Sequence, residues 1–194
     1  MHKKILFVIL EGIPDEIANT QIMMASKPNL EMLVKNGFAG LIENREGGHP
    51  DSGISNFVLL GYPKEEYPGR GYLDALGINL KITPGSVYVR ANFATVKEVL
   101  EDKYKMGNYE PRLMVTDRRA GRDASGLFEM SKAIKEFFLD GVRIDFYKSI
   151  AHRAVVVLNS VDVCCEVSDS DPGIEGKDVL DVRPLRDDDK VFKT

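Results

Sequence analysis

The run that most limits how this chain can fold is KILFVIL at residues 4–10, which ends on Glu11-Gly12. A strand with one wet face alternates apolar and polar residues. A continuous apolar run of this length predicts a strand buried on both faces, the kind that a helix-covered parallel sheet contains. The run is too short for a secretory leader, and Glu11 interrupts it. Glu11 would fall at the carboxyl end of the sheet, where α/β proteins place their sites. A carboxylate there suits a hard divalent cation; a solvated acid at a strand end is the plainer alternative.

The pattern continues in α/β style. PNLEMLVKN, residues 28–36, predicts a helix with Pro at its start and Gly37 just past its end. Residues 39–43 predict a short strand. Ser52 opens a helical run to about Leu60, ended by Gly61, and a short helix over 71–76 follows a basic Gly-Arg-Gly turn. Strand, helix, strand, helix is the beginning of a parallel sheet.

After about residue 80 the character changes, with a turn at Pro84-Gly85. Residues 86–95 alternate as a strand, 97–111 form a charged loop, and 112–117 form a strand. An amphipathic helix is expected over 125–138, with Leu127, Met130, Ile134, Phe137 and Phe138 on one stripe and Ser125 as its cap. Residues 142–148 and 153–158 alternate as strands. This part predicts an antiparallel sheet with one helix packed on it.

Composition narrows the function classes. A net charge of -4 provides no basic field for nucleic acid, and no stretch of eighteen apolar residues predicts a membrane span. The only cysteines, Cys164 and Cys165, are adjacent and lack distant partners, which fits a reducing, cytoplasmic setting.

The chemistry-bearing residues fall into two groups. Ser52, at a helix N-terminus, sits beside free backbone N–H groups and the positive end of the helix dipole, which favour a phosphate or a developing alkoxide. An ordinary N-cap is the commoner role for such a serine. A hydroxyl is a poor nucleophile until a base or metal withdraws its proton. The second group is DRRAGR, residues 117–122, directly after a strand. Asp117, Arg118, Arg119 and Arg122 make a guanidinium-rich turn suited to a small anion, against the plainer reading of a solvated loop. His152 and Arg153, between two strands, can join that surface, and Asp169 and Asp171 can orient the arginines or coordinate a cation. Arg90 and Asn92 add a polar pair within the preceding strand.

The segments ILFVILEG, SGISNFVLLGY, YPGRGYLDALGINL, VRANFAT, VTDRRAGR, AHRAVVVL and SDSDPG together carry a resemblance. In that order the chain resembles the N-terminal half of the archaeal-type 2,3-bisphosphoglycerate-independent phosphoglycerate mutases, of the alkaline phosphatase superfamily. The resemblance implies an α/β fold: a partial alkaline-phosphatase-like parallel sheet with helices over residues 1–80, a smaller inserted substrate-binding α+β domain over 81–185, and a tail over 186–194. It implies interconversion of 3-phosphoglycerate and 2-phosphoglycerate through a phosphoserine, with divalent manganese, zinc or magnesium. Ser52 falls at the nucleophile and metal position, and Glu11 at that of a metal-binding aspartate. Asp117, Arg118, Arg119, Arg122, His152, Arg153, Asp169 and Asp171 fall on the substrate-binding motifs.

Departures accompany the match. The family's acid after the nucleophile is Gly53 here, its histidine four residues later is Asn56, and the histidine after the Asp-Pro pair is Gly173. Family members are roughly twice as long, and the absent half carries most metal ligands. Three readings follow: a mutase relative whose remainder lies on another chain or has been lost, a non-catalytic relative that binds a phosphorylated acid or a protein partner, or another metal-dependent phosphatase or phosphotransferase. The expected partners are a phosphoglycerate-type small molecule and a homo-oligomer or second subunit, with neither nucleic acid nor membrane.

Overall fold

Proline at the first helical position, glutamate in the first turn and lysine in the last shape α1, Pro28–Asn36. The three act through a fixed φ and the helix dipole. The bounds are those the sequence predicts, and the helix carries no buried residue. This computed structural model of the protein describes residues 4–10, 24–40, 52–99, 111–159 and 167–185. The chain divides into two compact units, residues 1–48 and 49–194.

In the first unit, the run expected to be a strand buried on both faces is irregular and exposed: Ile5 is 94% and Leu6 88% accessible. A doubly buried strand takes its hydrogen bonds and both its cover layers from other elements, and none of the described strands pairs with these residues. Residues 39–40 form no strand, and the rest of the expected second strand lies outside the described residues.

In the second unit, α2 spans Ser52–Leu59, and Gly61, at φ 91°, follows its end. A 3-10 turn at Lys64–Glu66 leads to α3, Arg70–Gly77. The strands are β1 Ser86–Asn92, β2 Thr95–Val99, β3 Arg112–Asp117, β4 Glu136–Leu139, β5 Val142–Lys148 and β6 Arg153–Asn159; α4 spans Leu127–Ile134. One sheet has the order β1-β6-β5-β4 and the other pairs β2 with β3; every described pairing is antiparallel. The architecture is mixed α/β, and no described strand belongs to a parallel sheet.

Helix α3 packs on β1 and β6 through its small residues. Gly71 and Ala75, at i and i+4, lie on one face of the helix, and Ile78 just past its end continues that face. Ala75 is fully buried and shares the core with Val155 and Val157, with Tyr88 and Tyr147 against it. A Cβ on Gly71 would lie 2.2 Å from the Tyr88 carbonyl oxygen, so only glycine permits this approach. Asp74 on α3 and Arg90 on β1 clamp the contact: Arg90 Nη2 donates to Asp74 Oδ1 at 2.8 Å, and Arg90 Nε donates to Oδ2.

Two sequence expectations change here. The strand expected over 86–95 is two strands, β1 ending at Asn92 and β2 beginning at Thr95, so part of the expected charged loop is β2. The helix expected over 125–138 stops at Ile134, and Phe137 and Phe138 lie in β4. The cause is the Asp140-Gly141 pair, at φ 48° and 81°, which joins β4 to β5 as a two-residue hairpin turn. Both residues have the positive φ that such a turn needs. Only Leu127 of the expected stripe is buried, with Ser131 one turn on. Ser125 does not cap the helix: Gly126 holds the cap position, and Ser125 bonds to Asp123 instead.

Candidate active site

The segment Asn92–Thr95 carries the chain from one sheet to the other. At one end Asn92 pairs with Arg153, and the Phe93 amide donates to the His152 carbonyl at 2.7 Å. At the other, Thr95 pairs with Asp117. This short crossing brings His152 in the β5–β6 turn and Arg153 at the start of β6 to the end of β3, where the arginine-rich turn begins. Phe93 packs edge-on against Phe146 with ring centroids 5.7 Å apart, which fixes the crossing to β5.

The electrostatics reflect this convergence. Burial holds the His152 imidazole below its usual titration range; Arg153, Arg119 and Lys148 push it further the same way, and Asp117 opposes them. The imidazole therefore sits neutral in a positive field, where an anion would be welcome. Asp117 accepts from the Arg119 amide at 2.7 Å and so shapes the turn after β3.

Asp171 arrives from a different direction. The segment after it runs along β3: the Val115 amide donates to the Lys177 carbonyl at 2.8 Å and the Val179 amide to the Leu113 carbonyl at 2.7 Å. Arg118 meets Asp171 as a fork, Nε to Oδ1 at 2.8 Å and Nη2 to Oδ2 at 2.7 Å. The Gly173 amide also donates to Asp171, at 2.9 Å. The Arg118 bond, reinforced by that amide, holds the Asp171 carboxyl below the usual carboxylate range. Both side chains are more than a third exposed, so the pair sets orientation more than stability.

The arginine turn is strained. Ala120, Gly121 and Arg122 take φ of 49°, 69° and 59° in succession. A left-handed conformation costs a non-glycine residue about 1–2 kcal/mol, and such strain gathers at ligand clamps. Arg122 is exposed on this turn, and Asp169 is exposed two residues before Asp171.

Ser52 is the first residue of α2, and its hydroxyl is exposed. Arg70, the first residue of α3, places Nη2 3.4 Å from Ser52 Oγ. Sequence reasoning assigned Arg70 no role; its signal was the position between Gly69 and Gly71. Glu175, whose Oε1 accepts from the Arg118 amide at 3.4 Å, was also missed. Asp117, Arg118, Arg119, His152, Arg153 and Asp171 thus form one neighbourhood, while Ser52 and Arg70 form another.

Glu11 lies outside the described residues. Among the described residues no three His, Cys, Asp or Glu side chains gather to hold a metal ion. Of the two residues expected to hold a metal, Glu11 is one of those outside the described residues, and Ser52 Oγ lies 3.4 Å from Arg70 Nη2. No described helix is long and apolar enough to cross a membrane.

Residues 35–194 match the family model described as 2,3-bisphosphoglycerate-independent phosphoglycerate mutase. The chain is 36% identical to the enzyme of that name from Methanopyrus kandleri, over 100% of the chain and 46% of the relative. It is 38% identical to the one from Ignicoccus hospitalis, over 98% and 46%. A solved structure, the cofactor-independent phosphoglycerate mutase from Thermoplasma acidophilum, superposes with a TM-score of 0.52 at 34% identity, covering 68% of this chain and 33% of that one. The chain spans less than half the length of these relatives.

Proposed function

The chain belongs to the 2,3-bisphosphoglycerate-independent phosphoglycerate mutase family, and from that premise we propose that it takes part in the interconversion of 3-phosphoglycerate and 2-phosphoglycerate in a cytoplasmic setting. Residues 1–80 supply the nucleophile and 81–185 hold the substrate. Ser52 accepts the phosphoryl group. Arg118, Arg119, Arg122 and Arg153 surround the glycerate and its charge, His152 stands neutral beside them, and Asp117, Asp169 and Asp171 orient the arginines. The observation that carries this reading is the convergence of the arginine turn, the β5–β6 turn and Asp171 on one surface. With Arg118 held by Asp171, the exposed guanidinium groups of Arg119 and Arg122 near a neutral imidazole suit a small phosphorylated carboxylate.

The test is formation of 2-phosphoglycerate from 3-phosphoglycerate with manganese present. Ser52→Ala should abolish turnover while leaving the unfolding temperature unchanged, because Ser52 is exposed. Equal turnover by both proteins would refute the assignment of Ser52.

A second reading also has an observation behind it. Among the described residues no three His, Cys, Asp or Glu side chains gather to hold a metal ion, and in this reading residues 1–194 bind the phosphorylated acid without converting it. 3-Phosphoglycerate would then raise the unfolding temperature with no product formed.

A further inference from the structure

We infer that Arg70 is a further catalytic residue, the cation that receives the phosphoryl group on Ser52, and that the Gly69-Arg70-Gly71 turn exists to hold it there. The inference rests on Ser52 as the phosphoryl acceptor, and it adds a group that the substrate-binding residues do not include.

Each part of the turn has its own physical requirement. Gly69 precedes α3 at φ 89° and ψ 159°, a conformation essentially restricted to glycine. Gly71 faces β1 so closely that a Cβ would lie 2.2 Å from the Tyr88 carbonyl oxygen, 2.6 Å from its carbon and 2.7 Å from the Arg90 nitrogen. These are backbone atoms, which cannot yield as a flexible side chain can. The Arg90–Asp74 fork then locks the helix to the strand. Arg70 therefore starts from a backbone position fixed before it, after it and one turn later. From that position its guanidinium reaches Ser52 Oγ at 3.4 Å.

That separation is long for a hydrogen bond to a hydroxyl. A phosphoryl group on Oγ projects its oxygens outward, into the reach of the fork, where two N–H donors meet two oxygens. In the transfer, the Oγ–P bond forms as the ester P–O bond of the substrate breaks. The hydroxyl proton ends on the released glycerate oxygen, leaving phosphoserine and glycerate, and the return step reverses this. Arg70 changes no protonation state, since guanidinium stays charged throughout. It balances the charge that arrives on Ser52, as a prepositioned donor that needs no reorganisation. The dipoles of α2 and α3, whose N-termini are Ser52 and Arg70, act in the same sense.

The experiment separates this inference from the mutase reading by using inorganic phosphate as the probe and thermal unfolding as the readout. Phosphate should stabilise the parent protein and Ser52→Ala alike. Arg70→Gln should weaken that effect at least ten-fold in phosphate concentration, with its phosphate-free unfolding temperature unchanged. Arg70→Lys should retain part of the effect, and it replaces Arg70→Gln in the comparison if the glutamine variant does not fold. Where mutase turnover is measurable, Arg70→Gln should lower kcat by about 10²–10³-fold, the cost of removing one preorganised donor, with a much smaller change in KM. Phosphate binding lost in Arg70→Gln supports the inference even if the parent lacks mutase activity, in which case only the mutase reading fails. Phosphate binding unaltered in Arg70→Gln, or absent from the parent, overturns the inference whatever the turnover.

Discussion

Gly71→Ala decides between two principles that predict opposite signs. Alanine is about 1 kcal/mol more favourable than glycine inside a helix, so propensity alone predicts stabilisation. The packing predicts the reverse. The new methyl would sit 2.2 Å from the Tyr88 carbonyl oxygen, more than 1 Å inside ordinary contact, with backbone on every near side. Helix α3 must therefore retreat from β1. The retreat opens the packing of fully buried Ala75 on Val155 and Val157 and stretches the Arg90–Asp74 fork. Overpacking costs about 1–3 kcal/mol, occasionally more, and a loosened, partly buried ion pair adds to it. With the loosened pair counted at about 1 kcal/mol, a net loss of about 1–3 kcal/mol remains after the propensity gain. For a chain of this length that is roughly a 2–12 °C fall in unfolding temperature, at about 2–4 °C per kcal/mol. Gly77→Ala is the matched control: it lies on the same helix with nothing within 4 Å of the added carbon and should be neutral or slightly stabilising. Scanning calorimetry or urea unfolding of both variants reads the contrast. A Gly71→Ala protein as stable as the parent would refute the close approach of α3 to β1.

Three further outcomes follow. Burial and three neighbouring cations depress the His152 pKa in the folded protein, so below the ordinary value of about 6.5 the unfolded chain binds a proton the folded one resists. The stability His152 contributes is present above that value and is lost as pH falls through its folded value; His152→Gln should flatten the parent's decline there, measured by urea unfolding across pH 7 to 5. Ala120→Gly should stabilise the protein by about 1 kcal/mol, since relief of a left-handed alanine at φ 49° outweighs glycine's backbone entropy, and should raise KM if the strained turn holds substrate. Gly141→Ala should destabilise by about 1–2 kcal/mol in chemical unfolding, because φ 81° in the β4–β5 turn is poorly open to alanine.

Glycine and proline placement made much of the second unit legible from sequence. The helix starting at Ser52 stops before Gly61, the Gly-Arg-Gly turn opens α3, β3 falls on the strand expected over 112–117, and alternating residues mark β5 and β6. The α4–β4 junction is hidden in the sequence because Phe137 and Phe138 continue a helical spacing. Only the hairpin partner across Asp140-Gly141 tells that they are strand residues, and pairing is a non-local property. The run at 4–10 erred for the same reason: an apolar segment states what it would bury, while burial depends on which other segments lie beside it.

By itself, the sequence determined which residue types carry the chemistry and the family to which the chain belongs, because motif and order are written along the chain. Tertiary structure decided the couplings. Asp171 locks Arg118, the Asn92–Thr95 crossing sets His152 beside the arginine turn, and two glycines required by backbone geometry aim Arg70 at Ser52. Those depend on distances between residues far apart in the chain, such as the 18 positions from Ser52 to Arg70 and the 53 from Arg118 to Asp171, and such distances exist only once the chain has folded.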